Sequence, residues 1–292
     1  MAGAGRRGGD APAGAKRRLD QLLVERGLYG SRERAQAAIM AGLVKVGGQV
    51  ATKAGLPVGP EAAVEVAGEA HPYVSRGGLK LERALAAFGV DPAGRVVLDA
   101  GASTGGFTDL CLQRGARRVY AVDVGYGQLA WSLRQDPRVV VMERTNVRHL
   151  TAEALEEPPS LIVADLSFIS LDKVLPAFVA LLAPGGEAIT LIKPQFEVGK
   201  GQTDGGVVRA PRAHRDVLAR VVGQAAALGW GLVGLTASPI KGPEGNIEFL
   251  AHWRPGPGVA VDLDAVVAAA HAPPVAPPSA TGETGGTPPE RS

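Results

Sequence analysis

Two lysines and two carboxylates stand where catalytic groups of an α/β protein stand. Asp165 closes the apolar run Leu161-Ile162-Val163-Ala164, and Lys193 closes Thr190-Leu191-Ile192. Glu248 lies near the start of Asn246-Ile247-Glu248-Phe249-Leu250. If that last strand runs antiparallel, its start falls at the edge where the others finish. Lys80 comes from the helix before the first strand and is placed to reach the same edge. Lysines at such an edge can orient a hydroxyl or take its proton. An ordinary lysine stays charged near neutral pH, with a reference pKa of about 10.4. A second lysine nearby, or burial, favours its neutral form, and carboxylates oppose that shift. Lys193 is the candidate base, with Asp165 and Glu248 holding the two lysines.

A ligand loop precedes them. Val96-Val97-Leu98-Asp99 runs into Ala100-Gly101-Ala102-Ser103-Thr104-Gly105-Gly106-Phe107 and then a helical segment. This is the strand, loop and helix opening of a nucleotide-binding domain, where glycines let backbone approach a ligand. It lacks the Gly-x-Gly-x-x-Gly of dinucleotide enzymes and the Gly-Lys-Ser/Thr of a P-loop. Asp99-x-Gly101-x-x-x-Gly105-Gly106-Phe107 resembles the cofactor loop of FtsJ-type S-adenosylmethionine (SAM) methyltransferases. A tight turn without a ligand gives the same glycine pattern. Asp123, ending the second strand, suits two ribose hydroxyls of SAM or equally of NAD. Asn146, after the third strand, is placed to read an adenine edge or serves as a plain loop residue.

The elements that position these groups alternate. Strands are expected at 95–99, 117–123, 138–142, 160–165 and 187–192, with later strands at 231–236 and 247–253. Helices lie between them, for example at 171–182 and 210–228. Such alternation predicts an α/β fold with a doubly wound, mainly parallel, Rossmann-like sheet over 75–254. The stretch from Glu197 to Arg209 holds Gly199, Gly201, Gly205 and Gly206 with few apolar anchors, and reads as a mobile lid. Beyond Pro255 the chain turns rich in Pro, Ala, Gly and Thr, with at most a short helix at 261–271.

A small α+β module occupies 16–66. Leu19, Leu22 and Leu23 recur at helical spacing up to Gly27. Ser31 reads as the cap of a second helix over 32–40, ended by Gly42. Short β pieces follow at 43–46 and 64–66. Between Lys16 and Pro60 eight basic residues face three acidic ones, a local balance of +5 where the whole chain carries +2. Such a patch suits phosphate backbones. The pattern Arg18-Leu19-Asp20-x-Leu22-Leu23, Ser31-Arg32-x-x-Ala35 and Gly42-x-Val44-x-Val46-x-Gly48 resembles the αL RNA-binding domain of ribosomal protein S4 and of pseudouridine synthases. The resemblance implies RNA contacts from Arg18, Arg32, Arg34, Lys45 and Gln49. Residues 67–74 read as a linker, because Pro72 disfavours helix. Residues 1–15 and most of 255–292 read as disordered.

The order Lys80, Asp165, Lys193, Glu248 is similar to the Lys-Asp-Lys-Glu tetrad of FtsJ-type ribose 2′-O-methyltransferases. Four segments extend the match to the TlyA family over about 16–254. They are Val74-Ser75-Arg76-Gly77-Gly78-Leu79-Lys80-Leu81, Asp165-Leu166-Ser167-Phe168-Ile169-Ser170-Leu171, Lys193-Pro194-Gln195-Phe196-Glu197 and Gly205-Gly206-Val207-Val208-Arg209. The family implies SAM-dependent 2′-O-methylation of cytidine in 23S, and in some members 16S, ribosomal RNA. It implies SAM contacts from Asp99, Gly101, Ser103, Thr104, Gly105, Gly106, Phe107, Asp123, Asn146 and Asp165. One departure is His71-Pro72-Tyr73-Val74, where some members carry Arg-Ala-Trp-Val.

Composition bounds the alternatives. The 292 residues are 46% hydrophobic and 21% charged, ordinary for a soluble protein. The single Cys111 permits no intrachain disulfide and reads as a small buried residue. The five histidines lie far apart without metal-ligand spacing, so no metal is expected. No run of about 18 apolar residues and no secretory signal are found, which predicts a cytoplasmic protein without a membrane span. The TlyA family also carries the label haemolysin, but no lipid-inserting segment is found. An RNA-binding protein with a degenerate catalytic domain is the third reading, opposed by the intact loop and tetrad.

Overall fold

The computed structural model describes residues 16–29, 32–40, 42–66, 71–199 and 203–272. The readings for residues 1–15, Ser31, 67–70, Gly201 and 273–292 lie outside the described residues, as does the side chain of Arg34.

The small domain is built on three leucines. It runs β1 (Arg17–Arg18), α1 (Leu19–Glu25), α2 (Arg32–Met40), β2 (Val44–Val46), β3 (Gln49–Val50), β4 (Pro57–Val58) and β5 (Val64–Val66). Leu19, Leu22 and Leu23 of α1 pack on Ala35, Ala38 and Ile39 of α2 and on Val44, Ala51 and Val58. The i, i+3, i+4 spacing puts all three leucines on one helix face. Strands β3, β2 and β5 form one antiparallel sheet, and β1 pairs with β4.

The larger domain follows as α3 (Gly77–Phe88), β6 (Val96–Ala100), α4 (Gly106–Gln113), β7 (Arg118–Val122), α5 (Trp131–Arg134), β8 (Val139–Met142) and β9 (Leu161–Ala164). It continues as α6 (Leu175–Leu181), β10 (Glu187–Ile192), α7 (Pro194–Glu197), α8 (Pro211–Ala227), β11 (Trp230–Ala237), β12 (Phe249–Pro255) and α9 (Leu263–His271). The order across the sheet is β11-β12-β10-β9-β6-β7-β8. Strands β6 to β10 are mutually parallel, and β12 is antiparallel to both β10 and β11. The doubly wound sheet with an antiparallel last strand is therefore present. Every residue of β6, β9 and β10 is buried, because helices cover both faces. Val96, Leu98 and Ala100 face one apolar cluster with Phe178 and Leu218, while Val97 faces the other with Leu81 and Leu110.

The topology decides where a ligand can sit. From β6 the chain builds outward through β7 and β8, then returns to place β9 on the other side of β6. The crevice between the carboxyl ends of β6 and β9 is the switch point of the sheet. The antiparallel strand adds a second consequence. Its register pairs Ile192 with Phe249, so the residues just beyond, Lys193 and Glu248, meet at that same edge.

Three expectations need correction. The last strand begins at Phe249 rather than Ile247, so Glu248 precedes it. The linker reading does not hold for Tyr73, which is 3% exposed and packs with Leu81 and Phe107 in the larger domain. Its hydroxyl donates to Glu82, and Val74 N donates to Asp109 at 2.7 Å. The lid reading of 197–209 is narrowed rather than overturned, since Asp204, Gly205 and Gly206 are exposed but the chain is anchored just beyond them. Val207 and Val208 are buried, and Val208 N donates to Asn246 Oδ1 at 3.2 Å. Beyond the sheet, α9 matches the expected short helix, with Asp262 capping its start.

Glu197 ties two loops that the sheet delivers separately. Its carboxylate is buried and accepts from Ser170 Oγ at 2.6 Å and Leu171 N at 2.9 Å. The loop after β9, bearing Asp165, is thus fastened to the turn after Lys193. A buried donor left without an acceptor costs about 1–3 kcal/mol. Glu197→Ala is therefore expected to lower unfolding stability by about that amount, read as a reduced urea midpoint at an unchanged slope.

Candidate active site

The glycine loop is shaped by its own protein neighbours. Gly101 has φ +84°, and a Cβ there would lie 2.7 Å from the Asp165 carbonyl oxygen. At Gly105, with φ +96°, a Cβ would lie 2.3 Å from Leu133 Cδ1. A Cβ at Gly106 would lie 2.4 Å from Ser75 Oγ and 2.8 Å from Gly78 N. These glycines are required to close the loop against the chain itself, so the glycine pattern alone does not establish a ligand.

The groups around the loop carry that argument. Ser103 sits at φ +49°, and its N–H donates to Asp123 Oδ2 at 2.8 Å. Asp123 Oδ1 accepts from Gly125 N at 2.7 Å, so this carboxylate pins the loop from the β7 side. Asp99 is fully buried. Its Oδ2 accepts from Thr108 N at 2.9 Å and Thr108 Oγ1 at 2.7 Å. Its Oδ1 is buried and has no partner among the described residues. Burial pushes the Asp99 carboxyl up to about 7, against the two Thr108 hydrogen bonds.

A cavity of about 560 Å³ opens at the switch point. Asp99, Gly101, Ser103, Thr104, Gly106 and Phe107 line it together with Lys80, Asp165 and Lys193. Tyr29, Ala37, Ala38 and Leu43 of the small domain, with His71, Tyr73, Val74, Ser75 and Arg76, add to its wall. Gly105, Asp123, Asn146 and Glu248 are not among its lining residues. Asn146 is exposed, and its side chain accepts from Arg148 N at 3.1 Å, capping a single 3-10 turn. The structure does not bring Asn146 to the cavity.

The four expected charged groups do converge. Lys80 Nζ donates to Glu248 Oε2 at 2.7 Å and to Asp165 Oδ2 at 3.2 Å. Lys193 Nζ lies 2.6 Å from Asp165 Oδ1 and donates to Ser167 Oγ at 2.8 Å. The charges alternate along the line Glu248, Lys80, Asp165, Lys193, so the buried group is neutral in sum. Burial alone would lower the Lys80 pKa, but Asp165 and Glu248 outweigh it and raise it. Burial alone would raise that of Asp165, but the two lysines outweigh it and lower it. Glu248 is fully buried, and a Cβ at Gly242 would lie 2.2 Å from its Oε1.

Three neighbours of Lys193 were not singled out from sequence. Ser167 accepts its hydrogen bond, Phe196 lies 5.9 Å below its ammonium, and Phe168 packs 4.9 Å from Phe196. Phe168 is 89% exposed and holds φ +62°, strained for a bulky side chain. An aromatic residue in the loop after the strand that Asp165 follows was the available signal.

On the small domain, Arg18 and Arg32 both reach Asp20, which charge counting treated only as an offset. Lys45 and Gln49 lie on the β2–β3 hairpin, Lys45 paired with Val50 and Gln49 with Val46.

Comparison with known proteins agrees with this architecture. Residues 73–254 match the model of the FtsJ-like methyltransferases, and residues 17–64 match the S4 domain. The chain is 52% identical over 239 residues to the 16S/23S rRNA (cytidine-2′-O)-methyltransferase TlyA of Mycobacterium tuberculosis, covering 81% of this chain and 89% of the relative. It is 42% identical over 238 residues to Hemolysin A of Brachyspira hyodysenteriae, covering 81% of this chain and 99% of the relative. A solved structure from Streptococcus thermophilus that bears the name hemolysin superposes with a TM-score of 0.71 at 45% identity, covering 88% of this chain and 96% of that one. With the alternating charge line at the switch point and both domains in the same order, the chain belongs to the TlyA-type family of FtsJ-like methyltransferases carrying an N-terminal S4 domain.

Proposed function

We propose that this protein transfers a methyl group from SAM to the ribose 2′-hydroxyl of a cytidine in 23S, and also 16S, ribosomal RNA. The observation that carries this reading is the line Glu248, Lys80, Asp165, Lys193 beside the glycine loop. The cytidine and the ribosomal RNA rest on the relative from Mycobacterium tuberculosis, whose name gives that substrate.

The residues present fit the cofactor. The orphaned Oδ1 of Asp99 is a buried acceptor at the cavity wall and suits the amino group of SAM. Asp123, already at the base of the loop, has acceptor capacity left for ribose hydroxyls. When bound, SAM supplies an electrophilic methyl group on a sulfonium.

Lys193 is the residue that meets the substrate. An ammonium has three donors, and here one goes to Ser167 Oγ while Asp165 Oδ1 lies 2.6 Å away as an ion-pair partner. A donor is left to orient the 2′-hydroxyl oxygen for in-line approach. Lys193 would also be the group placed to take up the hydroxyl proton, while SAM would supply the methyl group that the oxygen gains. Lys80 does not act on the hydroxyl; held between Glu248 and Asp165, it keeps Asp165 in place. Orientation and proton removal are separate contributions, and a positioned base adds about 10²–10⁴-fold.

Lys193→Ala is expected to fold, to keep SAM and RNA affinity, and to lose methyl transfer by about a hundredfold or more. Lys193→Arg is expected to fail as well, since arginine keeps its proton and its planar head differs in shape. Transfer from labelled SAM to ribosomal RNA measures both. Near-normal turnover in Lys193→Arg excludes the base role.

Asp99 generates a second test. Its raised pKa means that near pH 6.5 it is largely protonated in the free protein. An ammonium placed against it favours the carboxylate, so SAM binding is expected to release a proton at pH 6.5. Calorimetric titration in two buffers of different ionisation enthalpy reads this release, and Asp99→Asn is expected to abolish it. The same shift sets a stability trend. Between about pH 4 and 7 the folded protein holds a proton that the unfolded chain has lost, so this group lowers stability as pH rises.

A further inference from the structure

A buried acid sits between two of the basic residues of the small domain. Asp20 has none of its side chain exposed. Its carboxylate accepts five hydrogen bonds. Oδ1 takes Gln21 N and Arg18 Nε, both at 3.0 Å. Oδ2 takes Arg18 Nη2 at 3.0 Å, Arg32 Nη2 at 3.1 Å and Gln36 Nε2 at 2.7 Å. Arg18 stands at the end of β1 and Arg32 at the start of α2, so one carboxylate joins two elements.

A carboxylate is an odd choice beneath residues meant for a polyanion, because it cancels one of the charges that attract phosphate. Its geometry supplies a reason. Arg18 meets Asp20 side-on through Nε and Nη2, a bidentate fork that fixes the plane of the guanidinium. Arg32 shares the same Oδ2, which brings the two Nη2 atoms within about 6 Å of each other. Without an anion between them the two guanidiniums repel. Both arginine side chains nevertheless keep nearly half their surface open, 48% for Arg18 and 47% for Arg32. Gly55 frames the first, since a Cβ there would lie 3.0 Å from Arg18 Nη1. The rotamers of two long side chains are thus fixed before any ligand arrives, which lowers the entropy lost on binding.

We infer that Asp20 is a positioning residue that locks Arg18 and Arg32 into one two-pronged guanidinium clamp for the RNA phosphate backbone. The inference rests on the RNA-binding reading of the small domain. It differs from charge attraction in sign. Removing the Asp20 charge makes the face more basic, so attraction alone predicts tighter binding of RNA. Positioning predicts weaker binding.

The test uses the full-length protein, a labelled transcript of 23S ribosomal RNA and a series of salt concentrations. Asp20→Asn keeps the size of the side chain and is expected to weaken RNA affinity about fivefold or more, with SAM affinity unchanged. Arg32→Ala is expected to lose a similar amount. The double variant is expected to be no weaker than the worse single one, because both break the same clamp. Unchanged or tighter binding by Asp20→Asn overturns the inference. If Asp20→Asn lowers the melting temperature of the small domain so far that it unfolds, Arg32→Lys decides. That variant keeps the charge and loses the fork, and wild-type affinity in it overturns the clamp. If Arg32→Ala itself leaves RNA affinity unchanged, the clamp is overturned together with the RNA role of that helix. Methyl transfer to ribosomal RNA, measured in parallel, reports on the enzymatic reading separately.

Discussion

Asp165 is the group on which the catalytic half depends. Each of its oxygens faces a lysine from a different element, Lys80 from α3 and Lys193 from the end of β10. Removing water from charged groups is costly, and the cost is offset only when opposite charges meet at close range with their hydrogen bonds satisfied. Two lysines without Asp165 would repel across the cavity. Asp165 without them would be a partly buried carboxylate with nothing to balance it. The third ion pair, Lys80 with Glu248, extends the same logic to a residue fully inside. A group of this kind specifies geometry more than it adds stability.

The sheet is arranged so that this group can exist. Parallel strands alone would bring the ends of β9 and β10 to one edge, but not a residue from the start of another strand. The antiparallel β12 does that, pairing Phe249 with Ile192 and so setting Glu248 beside Lys193. The crossing from β8 back to β9 leaves the crevice in which the glycine loop lies. That loop presses directly on the Asp165 backbone at Gly101, so the glycine loop and the charged group cannot shift independently. Glu197 adds a further tie between the two loops that carry Asp165 and Lys193.

The two domains use one device at two scales. In the larger domain Asp165 stands between two lysines that line a cavity. In the smaller one Asp20 stands between two arginines that remain half open to solvent. In both, a carboxylate fixes cations whose flexible side chains would otherwise sample many rotamers. The difference lies in the chemistry each cation can offer. Lysine offers a rotatable point charge and a proton that can leave, which suits a reacting hydroxyl. Arginine offers a planar fork with a permanent charge, which suits phosphate.

Much of this was legible in the chain itself. Strand and helix alternation, the Asp99 to Phe107 loop and the order Lys80, Asp165, Lys193, Glu248 are local or ordered features, and local propensity and polarity patterns record them directly. The three leucines of α1 and the basic excess near them are of the same kind. Other features depend on contacts between residues far apart in sequence. That Asn146 turns away to cap its own turn, that Tyr73 belongs to the larger domain, and that Val207 and Val208 anchor an expected lid were decided by packing partners that no local pattern names. The same holds for Asp20 and Glu197. In the sequence each is one negative charge among many; only the fold, by burying the carboxylate, forces it to find donors and makes it a joint. Residue types and spacing therefore determined which chemistry this protein carries, whereas the tertiary structure decided which residues hold that chemistry in place, because burial turns an isolated charge into an obligatory contact.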